Sequence, residues 1–126
     1  MLVGTGIDVV EIDRIAASID KYGARFLTRI FTAEEIAYCQ RKQRTAAESF
    51  AARFAAKEAG AKALGTGIQR GVSWTEIEVR RQPGHRPTLH FSGRAQQIAE
   101  HLGVCHISLS LTHDQRLAIA SVHLEN

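Results

Sequence analysis

Along this chain the apolar positions change period several times. From residue 2 to residue 10 they alternate: Val3, Thr5, Ile7 and Val9 take one face, and Leu2, Gly4, Gly6, Asp8 and Val10 the other. That two-residue period predicts a buried strand. Ile12, Ile15, Ala16 and Ile19 then recur at helical spacing and predict an amphipathic helix over 13–22. Thr32 and Glu35 have the spacing of a capping box, with Phe31 and Ile36 as a hydrophobic staple, so a helix is expected from there to about residue 42. Thr45 and Glu48 repeat the capping spacing ahead of a helix over 46–64, which Gly65 ends in the left-handed conformation. This helix would be about 28 Å long. It is apolar or small on almost every side, and a helix without a polar face is a buried one. Gly60 in its middle costs about 1 kcal/mol relative to alanine and points to a close approach by a neighbour.

The second half is richer in strands. Residues 74–80 alternate as an exposed edge strand, 83–87 form a turn, and 88–91 complete a hairpin. Ser92 is placed to cap a helix over 93–102, closed by Gly103. Residues 105–112 alternate again, with Ile107, Leu109 and Leu111 inward and His106, Ser108, Ser110 and Thr112 outward. His113-Asp114-Gln115 is a tight turn into a closing strand over 117–124. No repeat, low-complexity run or linker divides residues 1–126. The expectation is one α+β domain, an antiparallel sheet packed around a long central helix.

Composition adds little to that fold and more to its partners. The chain is 44% hydrophobic, carries a formal charge of +3 and has a pI near 9.2, which favours anionic partners such as phosphates, nucleotides, acidic proteins or nucleic acid. Cys39 and Cys105 lie far apart, in no metal-ligand spacing, and are expected as two buried free thiols of a reducing cytoplasm. The apolar start has no basic segment and is broken by Asp8, unlike a signal peptide. No apolar run approaches the roughly 20 residues that span a membrane.

The chemistry concentrates on the central helix. Arg53, Lys57, Glu58 and Lys62 sit among alanines and phenylalanines, where a charge needs a partner or a ligand. Arg53 and Lys57 are like charges four residues apart, and an anion between them would relieve their repulsion. Asp8 shares its strand face with two glycines, which leaves room beside it for a ligand or cation, or makes Asp8 a cap for the next helix. Glu58 is either one half of a surface pair with Lys62 or a second carboxylate for the same cation. Magnesium takes one or two carboxylates together with phosphates and water. The spacing therefore supports a magnesium-dependent enzyme acting on a pyrophosphate. Gly65-Thr66-Gly67 follows a helix instead of preceding one, so it is a C-cap and not a phosphate cradle. His113 could bind phosphate or shuttle protons, or simply occupy a turn in which Asp114 makes an Asx turn.

Gly6–Ile12 (GIDVVEI) and Phe54–Ile68 (FAAKEAGAKALGTGI) resemble the holo-[acyl-carrier-protein] synthase family of 4′-phosphopantetheinyl transferases. Residues 25–36, 108–114 and 118–122 extend the resemblance over essentially the whole chain. It implies transfer of phosphopantetheine from coenzyme A to a serine of apo acyl carrier protein, release of adenosine 3′,5′-bisphosphate, and a role in fatty acid biosynthesis. By the same resemblance Asp8 and Glu58 hold magnesium, and Asp8, Glu58 and Lys62 are catalytic. Arg53, Lys57, Lys62, Gly84, Pro87 and His113 would contact coenzyme A, and Arg14, Lys21 and Arg25 would dock the carrier. The turn Gly84-His85-Arg86-Pro87 is one residue longer than the Gly-Lys-Pro common in the family. The resemblance leaves the general base open among Glu58, a magnesium-bound water and Asp114. It also implies a cytoplasmic homotrimer with active sites between subunits, without membrane or nucleic-acid partners. The competing expectation is a non-catalytic basic nucleotide- or RNA-binding module using Arg14, Arg25 and residues 40–44. The low aromatic content, 6%, speaks against base stacking, and Asp8 and Glu58 would have no role in it.

Overall fold

A computed structural model describes all 126 residues. Its frame is the long helix α4 (Ala46–Leu64), laid across a three-stranded antiparallel sheet in the order β1-β5-β4. β1 spans Leu2–Glu11, β4 His106–His113 and β5 Leu117–Glu125. β5 is central, and its alternate residues Ala118, Ala120, Val122 and Leu124 are buried beneath α4. A separate two-stranded sheet, β2 (Ile77–Arg80) with β3 (Thr88–Phe91), also packs on α4. The expected single sheet is thus divided into two. Helices α1 (Ile12–Tyr22), α2 (Ala24–Ile30), α3 (Ala33–Gln40) and α5 (Gly93–His101) complete the α+β domain.

The two glycines of β1 are explained by α4. A Cβ on Gly6 would lie 1.9 Å from the carbonyl oxygen of Ala59, and one on Gly4 would lie 2.2 Å from that of Ala63. The space expected beside Asp8 for a ligand is therefore filled at Gly4 and Gly6 by the helix backbone. Gly60 has a related cause on the other side, where its Cβ would meet Leu89 at 2.9 Å and Ile77 at 3.2 Å. Small residues thus let strands from both sheets close on one helix, which buries α4 on nearly all sides.

Local signals were met unevenly. The capping box at α3 forms: Thr32 Oγ1 accepts from Glu35 N, and Glu35 Oε1 accepts from Thr32 N. The second box does not. A 3-10 turn (Gln43–Thr45) runs straight into α4, and the Thr45 hydroxyl donates to Lys42 O instead. Ser92 likewise offers α5 no side-chain cap; Glu76 Oε2 accepts from Arg94 N at 2.7 Å in its place. Residues 74–76, expected as strand, form a 3-10 turn. Helix α2 was not expected, because it follows α1 directly across Gly23 at φ +55°, with no capping residue to announce it. Cys39 is buried, which pushes its thiol up to about 11, but Cys105 is exposed, so only one of the two expected buried thiols is found.

Gly6→Ala is expected to lower stability by at least the ~1–3 kcal/mol typical of an overpacked core. Gln97→Ala, on the exposed side of α5, should stay within about 0.5 kcal/mol of the parent. Urea unfolding midpoints compare the two, and equal midpoints would show that β1 does not lie so close to α4.

Candidate active site

The four charges in the interior of α4 point in different directions and are handled differently. Glu58 is half-buried and lines a cleft of about 410 Å³ together with Asp8, Val9, Arg14, Ser18 and Phe54. Asp8 reaches this cleft because it continues the β1 face that carries Gly4 and Gly6. Burial, and then the like charge of Asp8, push the Glu58 carboxyl above its usual range, while Lys62 pulls it the other way. Lys62 Nζ lies 3.1 Å from Asp8 Oδ1 and also donates to Ile7 O at 3.1 Å. The sequence-predicted trio of Asp8, Glu58 and Lys62 is therefore brought together from two elements 50 residues apart in the chain, counting from Asp8 to Glu58.

Two mutually repelling carboxylates in one partly buried cleft are a donor set that suits a hard cation. No group of three or more His, Cys, Asp or Glu side chains gathers in the chain. An ion on Asp8 and Glu58 would fill its remaining positions with substrate oxygens and water, as magnesium does.

A second cleft, about 570 Å³, opens elsewhere and shares no lining residue with the first. Arg53 and His113, both expected near the nucleotide, line it together with Tyr38, Lys42 and Arg81. Arg53 is buried with its guanidinium carbon 4.0 Å over the Tyr38 ring, and its Nε has no hydrogen-bond partner. Lys42 Nζ stands 4.9 Å over the same ring. Burial raises the Tyr38 phenol, but Lys42 and Arg53 outweigh it and hold the phenol below its usual value. Such a pocket, with three cations and a histidine, is suited to phosphate. Lys42 lies in the basic 40–44 segment that the competing binding-module reading directs at phosphates, whereas Tyr38 and Arg81 are site residues that no sequence pattern singles out.

Three expectations are placed differently. Lys57 is fully buried and ion-paired to Glu35 at 2.6 Å, with Trp74 O and Ile77 O accepting its other hydrogens, so it reaches neither cleft. Burial holds its ammonium below the usual range, against the pull of Glu35. Gly84 and Pro87 line neither cleft; their hairpin turn stands beside a polar hollow of Arg80, His85, Arg86 and His90. Asp114, a candidate base, closes its turn by accepting from the N–H groups of Arg116 and Leu117, both at 2.7 Å. Those hydrogen bonds hold its carboxyl below the usual range.

Of the three basic residues expected to dock a carrier, two line neighbouring openings. Arg14 lines the carboxylate cleft, and Arg25 lines an adjoining groove of about 590 Å³ with Tyr22, Phe26, Arg29, Phe54 and Trp74. Cleft and groove share Ser18, Phe26 and Phe54, so together they form one continuous channel. Lys21 is exposed at the end of α1, its ammonium 5.3 Å over the Tyr22 ring.

Comparison with known proteins matches the chain and its fold to one family. The sequence model of the 4′-phosphopantetheinyl transferase superfamily matches residues 4–120. Holo-[acyl-carrier-protein] synthases of Koribacter versatilis and Solibacter usitatus are 56% and 52% identical over 126 residues, covering 100% of each chain. The crystal structure of the Neisseria meningitidis holo-[acyl-carrier-protein] synthase superposes with a TM-score of 0.88 at 35% identity, covering 100% of both chains. That of the Helicobacter pylori enzyme, in complex with coenzyme A, gives 0.84 at 32% identity and covers 96% of this chain and 99% of the other. With its length and its fold in common with these proteins, the chain belongs to the 4′-phosphopantetheinyl transferase superfamily, as one of its holo-[acyl-carrier-protein] synthases.

Proposed function

We propose that this chain transfers 4′-phosphopantetheine from coenzyme A to apo acyl carrier protein with magnesium held by Asp8 and Glu58. In this proposal residues 1–126 form one transferase domain, which acts in the cytoplasm as a homotrimer and serves fatty acid biosynthesis. The observation that carries it is the meeting of Asp8 and Glu58 in one cleft, with Lys62 beside them. In the reaction the serine oxygen of the carrier bonds to the phosphorus of the phosphopantetheine. The bond from that phosphorus to the bridging oxygen of the diphosphate breaks, the hydroxyl proton goes to a base, and adenosine 3′,5′-bisphosphate leaves. Magnesium, when bound, neutralises charge on the diphosphate and its leaving oxygen.

The other roles belong to the chain's own side chains. Lys62, about half exposed, is free to turn from Asp8 to a phosphate oxygen. Such an exposed pair contributes at most about 1 kcal/mol, so the exchange costs little. Of the side chains considered as base, the role is assigned to Glu58, which lines the carboxylate cleft, whereas Asp114 lines neither cleft. Arg53, His113, Lys42 and Arg81 would hold phosphate of coenzyme A. Arg14, Lys21 and Arg25 would meet an acidic helix of the carrier. A binding module without catalysis leaves Asp8 and Glu58 idle. No helix is long and apolar enough to cross a membrane.

The trimer has physical support. Arg53 and Glu58 are five residues apart on α4, hence about 140° apart around the helix. A coenzyme A reaching both a basic pocket and the carboxylates is best served by the pocket of a neighbouring chain. The sheet face turned away from α4 carries Ile7 and Val9, 65% and 57% exposed, an apolar surface for that neighbour.

Asp8→Ala and Glu58→Ala should each abolish magnesium-dependent transfer while leaving the circular dichroism unchanged. The assay is mass spectrometry of apo carrier incubated with enzyme, coenzyme A and magnesium, and a parent that adds no phosphopantetheine mass would refute the activity. Arg14→Glu should raise the KM for the carrier about tenfold, the scale of a lost interface charge, with the KM for coenzyme A unchanged. Light scattering should give three times the 13.9 kDa chain mass, and a monomer mass would contradict the trimer.

A further inference from the structure

Lys57 is the most deeply buried charge on α4, and its contacts lead away from both clefts. Its three ammonium hydrogens are taken up by Glu35 at 2.6 Å, Trp74 O at 3.1 Å and Ile77 O at 2.5 Å. None remains for a phosphate. Glu35 is itself held from two sides, by Thr32 N at 3.0 Å on Oε1 and Val79 N at 2.8 Å on Oε2. The pair thus ties α3, α4, β2 and the 3-10 turn of Trp74–Glu76 to one point. That turn has no buried residue of its own, so its place depends on such ties.

What the turn carries is Trp74, whose ring lies 4.8 Å from that of Phe54 at 32°. Phe54 precedes Lys57 by three residues and lines both the carboxylate cleft and the adjoining groove, while Trp74 lines the groove. A chain of contact therefore runs from Glu35 through Lys57 to Trp74, and from Trp74 to the wall shared by both openings. A buried ion pair gives little net stability over apolar residues of the same volume. A directed hydrogen bond to Trp74 O, backed by those to Ile77 O and Glu35, does fix the start of the turn relative to β2 and α3 in a way that apolar contact does not.

We infer that Lys57, held by Glu35, is a positioning residue that fixes Trp74 against Phe54 and so shapes the groove that receives the carrier protein. The inference rests on the proposed docking of the carrier at this groove. Lys57 acts on carrier affinity without touching coenzyme A.

The double variant Glu35→Gln/Lys57→Met leaves no buried charge unpaired, and Trp74→Leu removes the ring without disturbing the pair. Trp74 is the single tryptophan, so its emission reports on the wall directly. The double variant, folded by circular dichroism, should shift that emission. Its carrier KM should rise about tenfold, the cost of one lost aromatic anchor, with kcat and the KM for coenzyme A within about twofold of the parent. Trp74→Leu should reproduce the same rise. A raised KM for coenzyme A with an unchanged carrier KM would overturn the inference and make Lys57 a phosphate contact. Unchanged emission and unchanged carrier KM in a folded double variant would reduce the pair to stability alone. Should the double variant not fold, an unchanged carrier KM in Trp74→Leu overturns the inference by itself. Arg14→Glu in the same assay separates the two layers: an unchanged carrier KM there refutes docking at the groove, whereas the emission shift tests the positioning of Trp74 independently.

Discussion

A helix buried on nearly every side has no solvated face to hold its charges, and α4 carries four of them beyond its first two turns. Each must be matched by something, because an unmatched charge in a core costs several kcal/mol. Arg53 lies over an aromatic ring, Lys57 meets a buried carboxylate, Lys62 meets Asp8, and Glu58 opens onto a cleft. The architecture follows from those four solutions. α3 supplies Tyr38 and Glu35, β1 supplies Asp8, and β2 with the turn before it supplies the carbonyls that complete Lys57. The same helix that organises the core therefore also decides where the candidate site lies.

One of the charges completes the fold and three remain available to a ligand. The distinction is one of satisfied valence. Lys57 has a partner for every hydrogen, whereas Arg53 keeps an Nε without one, and Lys62 is half in solvent. Glu58 is held above its usual range by burial and by Asp8, which marks a site where added positive charge is welcome. Incomplete satisfaction is tolerated where a substrate is to finish it.

The sequence showed most of this frame and part of its use. β1, α1, α3, α4 and the closing hairpin were legible because their periods are long and regular. Asp8 and Glu58 stood out because a carboxylate in an apolar element calls for a cation, a cap or an ion pair. The role of Lys57 was not legible: its partner Glu35 was already accounted for as a capping residue, and nothing in the spacing shows that its carboxylate does both. The same holds for Ser92, whose capping role is taken by Glu76 from sixteen residues earlier. The pocket of Tyr38, Lys42 and Arg81 joins α3, a connector and the residue that follows β2, and no local pattern announces a surface assembled from three such places. The glycines of β1 were noticed, but their space was assigned to a ligand when it belongs to α4.

Those glycines have a consequence for how the protein is able to vary. At Gly4 and Gly6 the obstacle is the carbonyl oxygen of Ala63 and of Ala59, which every residue type possesses. No exchange of side chains on α4 makes room for a Cβ on β1. The usual route of drift in a core, in which one residue grows while its neighbour shrinks, is closed at these two positions. At Gly60, where the obstacle is the side chains of Leu89 and Ile77, it stays open. Asp8, two residues beyond Gly6, thereby inherits a depth in the fold that ordinary repacking of the core cannot shift.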